Sequence, residues 1–161
     1  MKEIPLSQGL VALVDDEDYE ELSQYNWHAY KHRNTYYAIR NLPIYPGLRT
    51  TAKMHRQVMR AQTDEMIDHR NGNGLDNQKH NLRIASSSQN AANKRARIGS
   101  TSEYKGVSWH KQHGKWYAAI CIKRKQIFLG LFTDEVEAAK AYDRGAREHF
   151  GEFAKTNFPV A

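Results

Sequence analysis

The feature that most constrains the fold is an alternation of apolar residues in the C-terminal half of the chain. Three short segments after Tyr104 carry an apolar side chain at every second position: Val107 and Trp109, then Trp116, Ala118, Ile120 and Ile122, then Ile127, Leu129 and Leu131. This period is typical of strands that bury one face and expose the other. We therefore predict a three-stranded antiparallel sheet with Trp109 and Trp116 in its core.

A helix is predicted directly after these strands. Thr133 is a suitable N-cap, and Asp134 and Glu135 place negative charge in the first turn. The residues that suit close packing against a sheet are Ala138, Ala139, Ala141, Tyr142, Ala146 and Phe150. Gly151 suits the C-terminal end of the helix. The predicted fold class is α+β, in which this helix covers one face of the sheet and leaves the other exposed.

The charge of +6 is unevenly distributed along the 161 residues. Residues 1–22 contain seven acidic residues and one lysine, whereas residues 91–130 contain nine basic residues and one acidic residue. A basic block of this kind indicates a polyanionic partner such as nucleic acid. The single cysteine, Cys121, excludes an internal disulfide framework and a cysteine-rich zinc site. We expect no transmembrane helix, no signal peptide and a cytoplasmic location.

The N-terminal part is predicted to be rich in short strands. The predicted strands are Leu10–Val14, Trp27–Tyr30 and Tyr36–Ile39, and residues 41–48 are predicted to form a loop because they contain two prolines and a glycine. A helix is expected after Asp15, with acidic residues in its first turn, and a second helix over Met54–Ala61.

The segment from Ile67 to Asn90 contains five asparagines and two glycines around an Asp68-His69 pair. Its pattern predicts a strand over Met66–His69, a long loop, a return strand over Arg83–Ala85, and a helix over Gln89–Arg97 with an N-cap in Ser86–Ser88. A calcium-binding loop is excluded, because the position that requires a bidentate glutamate holds Lys79. A phosphate-binding loop is excluded because no GK[ST] sequence follows. A purely structural loop remains an alternative, since Asn and Gly side chains stabilise turns.

A carboxylate at a strand end and an amide in the following helix suit a hard divalent cation. Asp68 and Asn90 are therefore the candidate ligands for Mg²⁺ or Mn²⁺. His69 is expected on the other side of the strand, where it would act as a general base on water.

This segment resembles the HNH endonuclease family, especially homing-type enzymes of phages, through Asp68-His69, Asn81 and Asn90 and through the framing MHRQVM and NLRIASSSQNAANK. The resemblance implies a ββα-metal unit at about residues 64–97. In it His69 activates water, Asn81 holds the loop and orients His69, and Asp68 and Asn90 bind magnesium. We expect Arg83 to contact a phosphate or simply to cover the loop.

The C-terminal segment resembles the ethylene-response-factor (APETALA-type) DNA-binding domain through YKGV, GKWYAAI, FLGLF, EAAKAYD and NFP. The resemblance implies that the exposed face of the sheet binds double-stranded DNA. The positions that match the contact residues of the family are Lys105, Ser108, His110, Ala119, Cys121, Gln126 and Phe128, beside the basic Lys123. Because few of these positions keep the residue types of the family, we expect broad sequence specificity.

Together these patterns predict an HNH endonuclease domain over residues 1–97, a linker over 98–103 and an APETALA-type domain over 104–161. The predicted protein is a monomeric, metal-dependent DNA endonuclease that nicks duplex DNA, located in the host cytoplasm if a phage encodes it. The alternatives are a regulatory DNA-binding protein without cleavage and, less well supported by the sheet domain, a ribonuclease.

Overall fold

The computed structural model of the protein describes residues 1–94 and 99–158. Its contacts divide the chain into two compact units, Met1–Ser86 and Ser87–Ala161. The helix predicted to complete the first domain thus groups with the second unit, and the predicted domain limits stay a prediction. Within the described ranges, no helix is long and apolar enough to cross a membrane.

The first unit is built from seven strands and two short helices. Their bounds in chain order are β1 Lys2–Pro5, β2 Val11–Val14, α1 Asp16–Ser23, β3 His28–His32, β4 Thr35–Tyr45, β5 Leu48–Lys53, α2 Met54–Val58, β6 Met66–His69 and β7 Leu82–Ala85. Strands β1 and β2 pair with each other, as do β6 and β7, and β3, β4 and β5 form an antiparallel sheet in that order. One apolar core joins these elements, and it contains Val14, Leu22, Trp27, Met54, Ile67 and Leu82.

The loop predicted at residues 41–48 is wrong, because β4 continues to Tyr45 and the chain turns only at Pro46-Gly47. Strand β3 pairs with β4 only as far as Ile39, so the rest of β4 has a neighbour on one side alone. Pro43 lies in this one-sided stretch, opposite Arg49 of β5. A proline, which lacks an N–H, is tolerated where a strand has a free edge.

Helix α2 ends at Val58, three residues before the predicted end at Ala61. Arg60 adopts a left-handed backbone with φ of 48°, and the N–H of Ala61 donates to the carbonyl of Arg56 at 3.0 Å. This is a left-handed helix cap formed without glycine, which the apolar periodicity of the sequence did not reveal.

The second unit contains α3 Ser87–Ala92, β8 Val107–His110, β9 Lys115–Ile122, β10 Lys125–Phe132 and α4 Glu135–Phe150. The sheet order β10-β9-β8 and the covering helix α4 confirm the predicted α+β architecture. Asp134 rather than Thr133 caps α4, since its carboxylate accepts the N–H of Glu137 at 2.8 Å. Helix α3 starts two residues earlier than predicted; residues 95–97 of that predicted helix lie outside the described ranges.

The alternation predicted for the third strand of this sheet fails at one place. Leu129 forms a β-bulge, after which Gly130 pairs with Ala118 and Leu131 pairs with Tyr117. Leu129 and Phe132 therefore pack against the core under α4, whereas Leu131 lies on the outward face with Tyr117. A bulge inserts one unpaired residue, which reverses the facing of every residue after it.

Candidate functional site

The Asp68 carboxylate in β6 forms a buried ion pair with Arg83 in β7. The two residues lie directly opposite each other in the strand register. Oδ2 of Asp68 accepts hydrogen bonds from Nε and Nη2 of Arg83 at 3.0 and 2.9 Å, and the side chains are only 5% and 7% exposed. The guanidinium of Arg83 is thus buried against Asp68, and its predicted contact with a DNA phosphate stays a prediction.

His69, the next residue of β6, is buried, and its side chain is surrounded by other rings. Its Nε2 lies 3.4 Å from Oδ1 of Asn77, and its ring centroid lies 5.0 Å from that of His55 and 5.7 Å from that of Tyr37. Burial lowers the pKa of His69, and the hydrogen bond with Asn77 opposes this shift. The sequence pointed to His69 but not to His55 or Tyr37, which only the tertiary fold brings beside it.

Asn81 fixes the loop between β6 and β7, as its predicted loop-holding role requires. Its Oδ1 accepts the N–H of Asn71 at 3.0 Å, and its Nδ2 donates to the carbonyl of Asp76 at 2.8 Å. Asn71 and Asn73 in turn accept the N–H groups of residues two positions later. Side-chain turns of this kind are what the purely structural alternative for the Asn-rich loop expects.

The predicted magnesium site has little support from the donor groups. The guanidinium of Arg83 occupies Oδ2 of Asp68 and repels a cation there, so the carboxylate as placed does not fit a hard ion. Asn90 lies in α3, which belongs to the other unit. Among residues 1–94 and 99–158, no group of three or more His, Cys, Asp or Glu side chains is placed to hold a metal ion. The Mg²⁺ or Mn²⁺ site at Asp68 and Asn90 stays a prediction.

His55 makes the stability of the first unit depend on pH. Its side chain is 6% exposed, and burial, together with the neighbouring His69, lowers its pKa from 6.5 to about 3. Between these two values the unfolded chain binds a proton that the folded protein excludes. Unfolding free energy should therefore fall by up to about 1.4 kcal/mol per pH unit as the pH drops below 6.5. Denaturant titrations at a series of pH values measure this slope.

The matched variants are His55→Phe and His80→Gln. Phe cannot take up a proton, so the His55→Phe slope should be flatter, whereas the exposed His80 lies outside this buried cluster and its variant should keep the wild-type slope. Equal slopes for wild type and His55→Phe would contradict the prediction.

In the second unit, a buried network joins three of the sequence signatures noted above. Asp143 of α4 is 1% exposed and accepts the backbone and side-chain N–H groups of Asn157 at 2.8 and 3.0 Å and the N–H of Phe158 at 2.9 Å. Asn157 also accepts the N–H of Lys105 at 2.7 Å and donates to its carbonyl at 3.1 Å. Asp143 of the AYD sequence, Asn157 and Phe158 of the NFP sequence and Lys105 of the YKG sequence thus connect α4, residues 157–158 and the start of the sheet.

Gly106 next to this network is required by close packing. Its φ is +76°, and a Cβ there would lie 1.9 Å from the Tyr142 ring. Its carbonyl accepts the N–H of Ala119 at 2.9 Å, which ties the entry of β8 to β9.

Lys105 makes contacts within the second unit, and its predicted contact with DNA stays a prediction. Its Nζ donates to the carbonyl of Ala92 at the end of α3 and lies 5.8 Å from the centroid of the Tyr142 ring. Burial, reinforced by Lys155, lowers its pKa to about 8. Lys105 therefore has a structural role between α3 and α4 as placed here.

The other predicted contact residues do share the outward face of the sheet. The register pairs Ser108 with Tyr117, Ala119 with Phe128 and Cys121 with Gln126, while His110 pairs with Lys115. A row of rings crosses this face: His113 and His110 have centroids 4.7 Å apart, His110 and Tyr117 6.1 Å, and Tyr117 and Phe128 5.2 Å. Phe128 is 55% exposed.

Trp109 and Trp116 belong to the opposite face and contact each other with centroids 5.0 Å apart. Trp116 packs against the core, as predicted. Trp109 is 40% exposed, so its predicted place in the core is wrong; β8 is an edge strand, where a large side chain is covered on one side only.

Positive charge in this unit is concentrated on the sheet. Residues 107–132, which form the sheet and its turns, contain five lysine or arginine residues and no acidic residue, whereas α4 contains four acidic and three basic residues. Lys123 and Arg124 form the tight turn between β9 and β10, and both have a left-handed backbone, with φ of 48° and 66°. Asn-Gly is the preferred sequence for such a turn, so the two cations are held there at a cost in backbone strain.

Comparison with known proteins finds relatives among plant transcription factors, and no family model matches the chain. The sequence is 48% identical over 63 residues to APETALA2-like protein 2 of Oryza sativa subsp. japonica, which covers 38% of this chain and 14% of the relative. It is 46% identical over 61 residues to the AP2-like ethylene-responsive transcription factor PLT2 of Arabidopsis thaliana, covering 37% and 11%. It is 40% identical over 62 residues to the ethylene-responsive transcription factor WRI1 of the same plant, covering 37% and 14%.

These relatives overturn the predicted enzyme. PLT2 and WRI1 are named as transcription factors and none of the three is named as a nuclease, so the predicted HNH-type, metal-dependent DNA endonuclease is wrong. The HNH resemblance and the cytoplasm of a phage host are likewise unsupported, since the relatives are plant proteins. The chain spans only 11–14% of the length of these relatives. The sheet, its covering helix and the relatives together support an AP2-type DNA-binding domain in the C-terminal part of the chain.

Proposed function

We propose that the protein is a regulatory protein that binds double-stranded DNA without cleaving it. The observation that carries this proposal is the segregation of charge in the second unit, where the strands of the sheet and their turns, residues 107–132, have five basic residues and no acidic residue. The transcription-factor relatives support the same conclusion. Monomeric binding stays a prediction.

The outward face of the sheet is the proposed DNA-binding surface, with Ser108, His110, Gln126 and Phe128 turned toward the bases. A narrow antiparallel sheet fits the major groove, which is about 12 Å wide. The cations at the ends of the strands, among them Lys115, Lys123 and Arg124, are exposed and suited to phosphate contacts. Arginine, which reads guanine by paired hydrogen bonds, occurs on this sheet only in the turn at Arg124. This composition favours broad specificity.

The first test of this proposal measures binding of the full chain to a labelled duplex at several salt concentrations. Binding should weaken as salt rises, with a log-log slope of about −0.9 for each phosphate neutralised, and the duplex should be recovered intact after incubation with magnesium. An affinity that does not change with salt would contradict the proposed interface, and cut DNA would contradict the proposed absence of cleavage.

The turn between β9 and β10 gives a sharper prediction, because one substitution there should raise the stability of the protein and lower its affinity for DNA. Lys123→Asn combined with Arg124→Gly supplies the residues that the turn prefers and should stabilise the protein by about 1–2 kcal/mol. The same change removes two cations, so it should lower DNA affinity and reduce the magnitude of the salt slope by about 2. Thermal unfolding and salt-dependent binding measure the two effects separately.

The matched control is Arg144→Gln combined with Arg147→Gln, which removes the same charge from exposed positions of α4. This control should change the salt slope far less, because α4 covers the opposite face of the sheet. Equal slopes for the two double variants would mean that the turn does not contact phosphate.

A further inference from the structure

The outward face of the sheet carries an apolar strip that the basic character of the domain does not explain. The strip consists of Tyr117, Phe128 and Leu131. The rings of Tyr117 and Phe128 have centroids 5.2 Å apart, and Leu131 lies opposite Tyr117 in the register. The methyl group of Ala119 lies opposite Phe128, so the centre of the face is apolar while the cations lie at its ends.

The bulge in β10 builds this strip. Regular alternation would place Leu131 on the same side as Leu129, which packs under α4. The bulge at Leu129 instead turns Leu131 outward. Gly130, between these two leucines, has a φ of +141°, a conformation that L side chains rarely adopt. A Cβ at Gly130 would lie 2.8 Å from the Phe132 ring, so glycine is required there. Bulges commonly redirect side chains at functional surfaces.

Apolar side chains can distinguish bases by the groups that each base presents in the major groove. Guanine presents two hydrogen-bond acceptors in the major groove. Contact with Phe or Leu would displace water from these acceptors and offer no hydrogen bond in return, which is unfavourable. Thymine presents an apolar C5-methyl group, which suits contact with an apolar side chain. Given the proposed DNA-binding function, on which this inference rests, we propose that Tyr117, Phe128 and Leu131 recognise C5-methyl groups of pyrimidines in duplex DNA. The protein should therefore favour thymine-rich sites, by contact rather than by hydrogen bonding.

The test compares duplexes that differ only in C5-methyl groups. One pair has a mixed A·T sequence with thymine or with deoxyuridine throughout. The other pair has a mixed G·C sequence with 5-methylcytosine or with cytosine. Burying one methyl group corresponds to about a 4-fold gain in affinity, so two contacts should make the methylated duplex bind about 10-fold tighter or more in each pair.

Variants of the full chain connect this effect to the strip. Phe128→Ala should bind the thymine and deoxyuridine duplexes with nearly equal affinity, while its salt dependence stays that of the wild type. Val136→Ala removes an exposed apolar side chain from α4 and should keep the full methyl preference.

The outcomes separate this inference from the proposed function. Tighter binding of both methylated duplexes by wild type, lost in Phe128→Ala, supports the inference. Salt-dependent binding of all four duplexes without a methyl preference overturns the inference and leaves the proposed function standing. No binding to any duplex overturns both.

Discussion

Replacing Asp143 by alanine is expected to destabilise the sheet-and-helix unit strongly. The carboxylate is 1% exposed and accepts three hydrogen bonds, two from Asn157 and one from Phe158. Each buried donor that loses its partner costs about 1–3 kcal/mol, so the total loss should be at least about 3 kcal/mol. A unit of this size has only about 5–10 kcal/mol of stability. Circular dichroism during thermal unfolding measures the loss, and hydrogen exchange locates it in residues 104–158.

The matched control is Glu148→Ala, which removes an exposed carboxylate from the same helix and should change stability by less than about 0.5 kcal/mol. Asn157→Ala should also be strongly destabilising, because it releases the backbone of Lys105 as well. The double variant should lose less than the sum of the two single losses, since both changes remove the same hydrogen bonds. An Asp143→Ala protein as stable as Glu148→Ala would contradict the proposed network.

The sheet unit could be predicted largely from local patterns. Alternating apolar residues in β8 and β9 fix which face meets α4, and the small residues Ala138, Ala139 and Ala146 fix how closely the helix approaches. These signals depend only on neighbouring positions, so they survive without knowledge of the rest of the fold. A cap misplaced by one residue, at Thr133 rather than Asp134, does not alter the architecture.

The features that sequence reasoning missed depend on contacts between distant residues. The bulge at Leu129 is specified by how β10 meets β9, and the glycine after it was the only local sign. Lysine is usually a surface residue, yet the environment of Lys105 is set by α3 and α4. Both features concern the facing of a side chain, which a strand period gives only while the register is unbroken.

The Asp-His loop shows the limit of a short motif. Its strand–loop–strand order was predicted correctly, and Asn81 does hold the loop. The assigned chemistry required Asp68 to be available to a cation, but the register of β6 and β7 sets Arg83 directly opposite it. A motif specifies which residue types are present, whereas chemistry depends on what each side chain contacts.

Replacing Asp68 by alanine tests that point and is the second large effect expected. The change leaves the Arg83 guanidinium buried without the carboxylate that pairs with it, and breaking a buried ion pair in this way costs about 3–5 kcal/mol. Denaturant unfolding should show this loss in the first unit. Removing both charges, with Asp68→Leu and Arg83→Met, should recover most of it, because two apolar side chains can fill the same buried space.

Magnesium titration of the same proteins separates this structural role from the predicted metal site. A ligand that binds only the folded state raises its melting temperature, so a metal held by Asp68 should stabilise wild type at millimolar Mg²⁺ and fail to stabilise Asp68→Ala. If Asp68 serves the ion pair alone, magnesium should shift neither melting temperature, and it should not shift that of the double variant either. A metal-dependent shift confined to wild type would instead establish the cation site at Asp68 and contradict its assignment as solely the partner of Arg83.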